Sequence, residues 1–332
     1  MIAMKKPQLI DPFGRQIRYL RVSVTDRCNF RCFYCMPEAH SDFRKREHVL
    51  SYEEIGRIVS TFVRLGVDHM RITGGEPMVR RGILGLFQTI GALPGLDDLS
   101  VTTNASKLAE SALAMRSAGV KRLNVSLDTL NADKFREVTR GGDLHSVLAG
   151  LDAAKSAGFD LIKINCVVMR GINDDEVDDL VRYCIDNDFT LRFIETMPMG
   201  DLGYERQKYY MPLTEIIDQL HEKFDLTPAV MPGGGPADYF HVIGTPLRIG
   251  FITPISQHFC EHCNRVRLTA DGQLYLCLGQ EHSVDLKTPL RNGVNDDELE
   301  DILKEAIKIK PERHEFAENP DKVIRIMSET GG

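Results

Sequence analysis

Residues 20–37 read L-R-V-S-V-T-D-R-C-N-F-R-C-F-Y-C-M-P. The apolar run over 19–24 has the length of a β-strand, and the cysteines behind it, Cys28, Cys32 and Cys35, are spaced C-x3-C-x2-C. Three thiolates leave one position open on a metal or cluster, which catalysis requires and a closed structural site avoids. That spacing also admits zinc completed by a remote histidine such as His40.

Outward from this stretch, strand-length apolar runs recur at 68–72, 99–103, 122–127, 161–168 and 190–194. Amphipathic helical stretches separate them, at 52–65, 83–90, 109–118, 132–139, 144–157 and 174–187. In the first, Ile55, Ile58, Val59, Phe62 and Val63 make one stripe, and Ser51 with Glu54 is a capping box. This alternation predicts βα units around a parallel sheet. The unusual residues fall where strands end: the cysteine loop, Gly74-Gly75-Glu76-Pro77, Thr103-Asn104, 126–128 and 195–199. In a (β/α) barrel such loops build a single mouth. Lys163 shares strand parity with Asn165 and is expected to face the interior, where a lysine needs an anionic partner.

The βα rhythm stops near Gly200. The expected fold is α/β, an incomplete (β/α)6 TIM-type barrel over 1–200 followed by a C-terminal α+β extension over 201–332. Within the extension 213–224 and 296–309 read as helices, 240–243 with 247–252 as a hairpin, and 233–236 as a turn. It carries a second set, Cys260, Cys263 and Cys277, spaced C-x2-C-x13-C. A second redox cluster and a Cys3His zinc site using His258 or His262 are both open to it. Arg265 and Arg267 alternate just beyond and in an extended segment would project to the same side. Cys166 and Cys184 stand alone among apolar residues and read as small buried hydrophobes.

The 332 residues are 42% hydrophobic and 27% charged, enough for a sizeable core and without an apolar run that would span a membrane. A formal charge of −7 argues against general nucleic-acid binding, and an anionic substrate would need a local cationic patch. The first twenty residues resemble neither a signal nor a transit peptide, so a cytoplasmic location is expected. In that compartment grouped cysteines suggest metal ligation before disulfides.

The cysteine loop after a first strand and G-G-E-P after a second resemble the radical S-adenosylmethionine superfamily. Adding T-T-N at 102–104, N-V-S-L-D at 124–128, G-I-N-D-D-E at 171–176, R-F-I-E-T-M-P-M-G at 192–200, F-C-E-H-C-N-R-V-R-L-T-A-D-G at 259–272 and the final Gly331-Gly332, nearly the whole chain resembles the GTP 3′,8-cyclase family. The resemblance implies that Cys28, Cys32 and Cys35 bind one [4Fe-4S] cluster and Cys260, Cys263 and Cys277 a second, which holds GTP. It implies S-adenosylmethionine contacts at Tyr34, Gly75, Ser126 and Met197. It implies GTP contacts at Arg21, Arg71, Thr102, Lys163, Arg192, Arg265, Val266 and Arg267, and a catalytic part for Gly331 and Gly332. An electron donor of flavodoxin or ferredoxin type, a downstream cyclic pyranopterin monophosphate synthase and a homodimer come with it. His69 departs from the family, which often has lysine there. The alternatives are a radical enzyme that modifies peptides or proteins, and a metal-binding regulatory module without turnover.

Overall fold

A computed structural model describes residues 8–200, 202, 206–231, 235–257, 260–316, 318–319 and 322–331; Gly332, His258 and the first two residues of the turn at 233–236 lie outside the described residues. Six strands run parallel and in chain order: β1 Tyr19–Ser23, β2 His69–Thr73, β3 Asp98–Thr103, β4 Arg122–Ser126, β5 Leu161–Val167 and β6 Thr190–Ile194. Between them lie α1 Tyr52–Arg64, α2 Ile83–Gly91, α3 Leu108–Ser117, α4 Ala132–Val138, α5 Leu144–Ser156 and α6 Val177–Asn187. The capping box of α1 forms as expected: Glu54 N–H donates to Ser51 Oγ at 3.1 Å and Ser51 N–H to Glu54 Oε2 at 2.6 Å.

The rest of the chain contributes α7 Arg206–Tyr209, α8 Leu213–His221, β7 Leu226–Ala229, β8 Asp238–Val242, β9 Arg248–Ile252, β10 Arg265–Leu268, β11 Gln273–Tyr275, β12 Ser283–Asp285, α9 Lys287–Arg291, α10 Asp296–Lys308 and α11 Met327–Thr330. Six parallel strands are expected from the sequence; among the described residues the sheet has eight, because β10 pairs parallel to β1 and β9 parallel to β6. Antiparallel strands follow outside these, giving the order β12-β11-β10-β1-β2-β3-β4-β5-β6-β9-β8-β7. A six-stranded parallel sheet would leave two rows of unpaired backbone groups, and the C-terminal residues cover both edges.

Strand parity separates core from site. Leu20, Val22, Met70, Ile72, Leu99, Val101, Leu123, Val125, Ile164 and Phe193 belong to the main hydrophobic core. Their polar neighbours, at one-residue offset, point to the other face of the sheet. There Arg267, Arg21 and Arg71 stand side by side in register, as do Asn124 with Lys163 and Asn165 with Arg192.

Candidate active site

The cysteine loop is held from below by the Gly74-Gly75-Glu76 turn at the end of β2. Gly75 N–H donates to Thr25 O at 2.7 Å and Glu76 N–H to Arg27 O at 2.8 Å. A Cβ on Gly75 would come within 2.4 Å of Arg27 O, and one on Gly74, at φ +154°, within 2.5 Å of Thr25 O. The glycines therefore admit the backbone leading into Cys28. Glu76 joins two strand ends. Its buried carboxylate accepts from Met78 N–H, Thr103 Oγ1 and Asn104 N–H at 3.0, 2.9 and 2.7 Å, tying the end of β2 to that of β3. Burial raises its pKa to about 7 against those donors.

Cys28, Cys32 and Cys35 are free and half-buried, and all three line one large cavity at the C-terminal ends of the strands. Burial, then Glu76, pushes the Cys28 thiol up to about 11; burial, then Cys28 and Asp128, pushes Cys35 to about 12, partly offset by a hydrogen bond from the Ser328 backbone. Tyr34 donates its hydroxyl to Asp128 Oδ2 at 2.6 Å, and Asp128 Oδ1 accepts from Val167 N–H at 2.8 Å. The cysteine loop is thereby pinned to the ends of β4 and β5. Tyr34, Gly75, Ser126 and Met197 all border the same cavity.

Cys260, Cys263 and Cys277 line that cavity too. Cys260 opens a short 3-10 turn over Cys260–His262, Cys263 leads into β10 and Cys277 follows β11. His262, one of the zinc candidates, is exposed. Burial pushes the Cys263 thiol up, but Arg265 and Lys310 outweigh it and bring the value to about 6. Among the described residues no three His, Cys, Asp or Glu side chains lie close enough together for a single metal ion; each triplet borders a larger space. Free thiols around an open cavity suit the donor set of a cubane cluster, which spreads its ligands further apart than one ion does.

Between the triplets the cavity is basic. Arg21, Arg71, Thr102, Arg192, Arg265, Val266 and Arg267 border it, although Val266 also packs in the core. Arg21 Nε, Arg71 Nε, Arg192 Nε, Thr102 Oγ1 and Asn165 Oδ1 are buried with no hydrogen-bond partner among the described residues. Burial and neighbouring arginines lower Arg192 to about 10 and Arg267 to about 9. The unanswered arginine N–H groups and the Thr102 hydroxyl fit an anionic ligand, whereas the Asn165 amide oxygen calls for a donor. Lys163 lies in a second cavity with Arg71, Arg122, Arg192 and Tyr239. Its Nζ is 3.2 Å from Tyr239 Oη, and burial, then Arg192, Arg122 and Arg71, depresses its pKa to about 6. Arg71 and Arg192 line both cavities. His69 stands outside both linings; its Nδ1 is 2.6 Å from Asp68 Oδ1.

The C-terminal tail reaches the same mouth. Gly331, at φ +70°, is buried against Thr73 at the end of β2, and its carbonyl accepts from Arg267 Nη1 at 2.8 Å. Arg44 holds the segment before it through Glu329 at 3.0 Å and Asp271 at 2.8 Å. The sequence gives no signal for Arg44, Arg122, Tyr239 or Lys310, each of which matters only through partners distant along the chain. Asp128 was visible as a strand-end residue, but its bond to Tyr34 was not.

A parallel α/β sheet with a three-cysteine loop after its first strand defines a radical S-adenosylmethionine fold. The Radical SAM superfamily model matches residues 22–184, and the Molybdenum Cofactor Synthesis C model matches 189–316. The structure of Streptococcus suis SuiB bound to S-adenosylmethionine superposes with a TM-score of 0.62 at 16% identity, over 82% of this chain; the chain spans 64% of SuiB. That likeness concerns the fold. The GTP 3′,8-cyclase of Hydrogenovibrio crunogenus is 50% identical over 98% of this chain and 99% of its own length. Those of Paracoccus denitrificans and Ectopseudomonas mendocina are 50% and 48% identical over 98% and 99% of this chain, and over 96% and 100% of their own lengths. The chain belongs to the GTP 3′,8-cyclase family. Membership of the radical superfamily implies a [4Fe-4S] cluster and S-adenosylmethionine. No helix among the described residues is long and apolar enough to cross a membrane.

Proposed function

We propose that this chain converts GTP into (8S)-3′,8-cyclo-7,8-dihydroguanosine 5′-triphosphate, the first step of molybdenum cofactor biosynthesis. One observation carries this beyond the family name: a single cavity is bounded by both cysteine triplets and by arginines with unanswered donors. In this reading residues 1–200 form the S-adenosylmethionine part and 201–332 the part that completes the GTP site. Cys28, Cys32 and Cys35 hold one [4Fe-4S] cluster, and Tyr34, Gly75, Ser126 and Met197 border S-adenosylmethionine beside it. When bound, these cofactors would supply a 5′-deoxyadenosyl radical competent to take hydrogen from C3′ of the ribose, the chemistry that would let C3′ bond to C8 of guanine.

Cys260, Cys263 and Cys277 hold a second [4Fe-4S] cluster facing the nucleotide. Arg21, Thr102, Arg265, Val266 and Arg267 enclose the nucleoside end, while Arg71 and Arg192 lead the triphosphate toward Lys163 in the adjoining cavity. Each charge-assisted contact to phosphate is worth roughly 1.5 to 3 kcal/mol. Gly331 belongs to the catalytic mouth, where its carbonyl orients Arg267, and Gly332 shares its catalytic part. The chain's main contribution is to fix geometry and exclude other hydrogen donors. Reduction draws on a flavodoxin- or ferredoxin-type donor, the product passes to a cyclic pyranopterin monophosphate synthase, and the enzyme works in the cytoplasm as a homodimer.

Anaerobic incubation with GTP, S-adenosylmethionine and a reductant, followed by mass analysis, tests the reading. The expected result is a cyclised nucleotide formed in step with 5′-deoxyadenosine. Cleavage of S-adenosylmethionine with GTP returned unchanged would overturn the substrate.

A further inference from the structure

Two segments carry the C-terminal cysteines, Cys260 with Cys263 before β10 and Cys277 after β11, and one side chain spans both. Lys310, just beyond α10, is 3% exposed. Its Nζ donates to Arg265 O at 3.0 Å and to Leu276 O, and lies 3.8 Å from Cys263 Sγ. Arg265 is two residues after Cys263, and Leu276 immediately precedes Cys277. An ammonium has three N–H donors and a neutral amine two, so three acceptors around one nitrogen call for the charged form. Among the described residues no carboxylate pairs with this ammonium. Its neighbour Arg15 differs: Nη1 donates to Cys260 O at 2.8 Å, but the guanidinium has Asp11 at 2.6 Å as its own counter-charge. A buried cation without a carboxylate is costly unless another anion answers it. The Cys263 thiolate is the anion in contact with it, with Cys277 next; Asp11 also acts on it but is already paired with Arg15.

We propose that Lys310 is a positioning residue for the C-terminal cysteine site, one that sets the distance between the Cys263 and Cys277 segments and acts as counter-charge to the bound group. The proposal rests on the reading of that site as a second cluster. Reduction by one electron adds a negative charge to the cluster. A cation at this distance favours the reduced form and raises the midpoint potential, as hydrogen bonds to cluster sulfurs also do.

The test uses the full chain carrying Cys28→Ala, Cys32→Ala and Cys35→Ala, reconstituted anaerobically, so that iron reports the C-terminal site alone. With Lys310 intact this parent should hold about four irons. Lys310→Met should lose at least half of that iron, or keep it with a midpoint more negative than the parent's in an EPR-monitored titration. Lys310→Arg should restore iron and midpoint toward the parent. A Met variant with parental iron and parental midpoint overturns the proposal, and so does equal iron loss in the Met and Arg variants. A parent that binds zinc or no iron overturns the second-cluster reading and this proposal with it, and is told apart because Lys310 is then intact.

Discussion

The two cysteine triplets open onto one cavity but sit in opposite electrostatic surroundings. The N-terminal set has the Glu76 and Asp128 carboxylates as neighbours, and its thiols are pushed up, Cys28 to about 11 and Cys35 to about 12, by burial and then by nearby negative charge. Around the C-terminal set are Arg265, Lys310 and Arg15; burial still raises the Cys260 and Cys277 thiols, partly offset by these cations, but the Cys263 thiol drops to about 6. Similar donor sets therefore prefer different guests. Carboxylates suit a cofactor that carries a sulfonium and an ammonium, whereas a basic wall suits a nucleotide with a triphosphate. In the proposed function the sign of the neighbourhood, more than the ligand count, distinguishes the two ends of the cavity.

Exchanging cysteines should produce the largest effect. Alanine at Cys28, Cys32 or Cys35 should abolish both 5′-deoxyadenosine and the cyclised nucleotide, while alanine at Cys260, Cys263 or Cys277 should end cyclisation yet spare some cleavage. Product analysis that found equal loss of cleavage from both sets would erase the distinction. Next comes the tail between them. A Cβ at Gly331 would lie 2.3 Å from Thr73 Cγ2, so Gly331→Val should displace the tail and slow cyclisation by ~100-fold, as misplacement by about 1 Å can. Iron content and melting temperature should stay at wild-type values; a fall in both would make the tail's role structural.

On the basic side, Arg71→Ala and Arg192→Ala should weaken GTP binding roughly 10- to 100-fold while leaving S-adenosylmethionine affinity alone. Equilibrium dialysis with each ligand measures both. The smallest effect is a proton. Lys163, at about 6 in the free protein, is mostly neutral at pH 7.5, and a triphosphate beside it would raise its pKa. GTP binding should therefore take up a proton, and affinity should fall by up to about tenfold per pH unit between the free and bound values. Calorimetry in buffers of different ionisation enthalpy reads the uptake, and Lys163→Met should remove it; uptake unchanged in that variant would place the titrating group elsewhere.

The six parallel strands were legible because their apolar residues recur at strand length between amphipathic helices, and α1 announced itself through Ser51 and Glu54. The parallel pairings of β9 and β10 were not. Arg248–Ile252 reads as half of a hairpin, which it is with β8, but its other edge pairs with β6. Arg265–Leu268 is four residues long and finds its partner near the beginning of the chain, a pairing that no local pattern encodes. Site residues inside motifs were visible in the sequence, since each motif stands at a strand end. Glu76 was visible as a residue but not as the acceptor joining β2 to β3, and Lys310 belongs to no motif at all.

The pairing of β1 with β10 also has a temporal side. During synthesis the outer edge of β1 lies bare until residue 265 follows, a delay of roughly 10 to 50 seconds at ribosomal rates of about 5–20 residues per second. The segment that closes this edge also brings in Cys260 and Cys263. The nascent chain can thus present its first three thiols to an iron donor well before the other three exist, and the last edge to be sealed is the one beside the basic wall of the cavity.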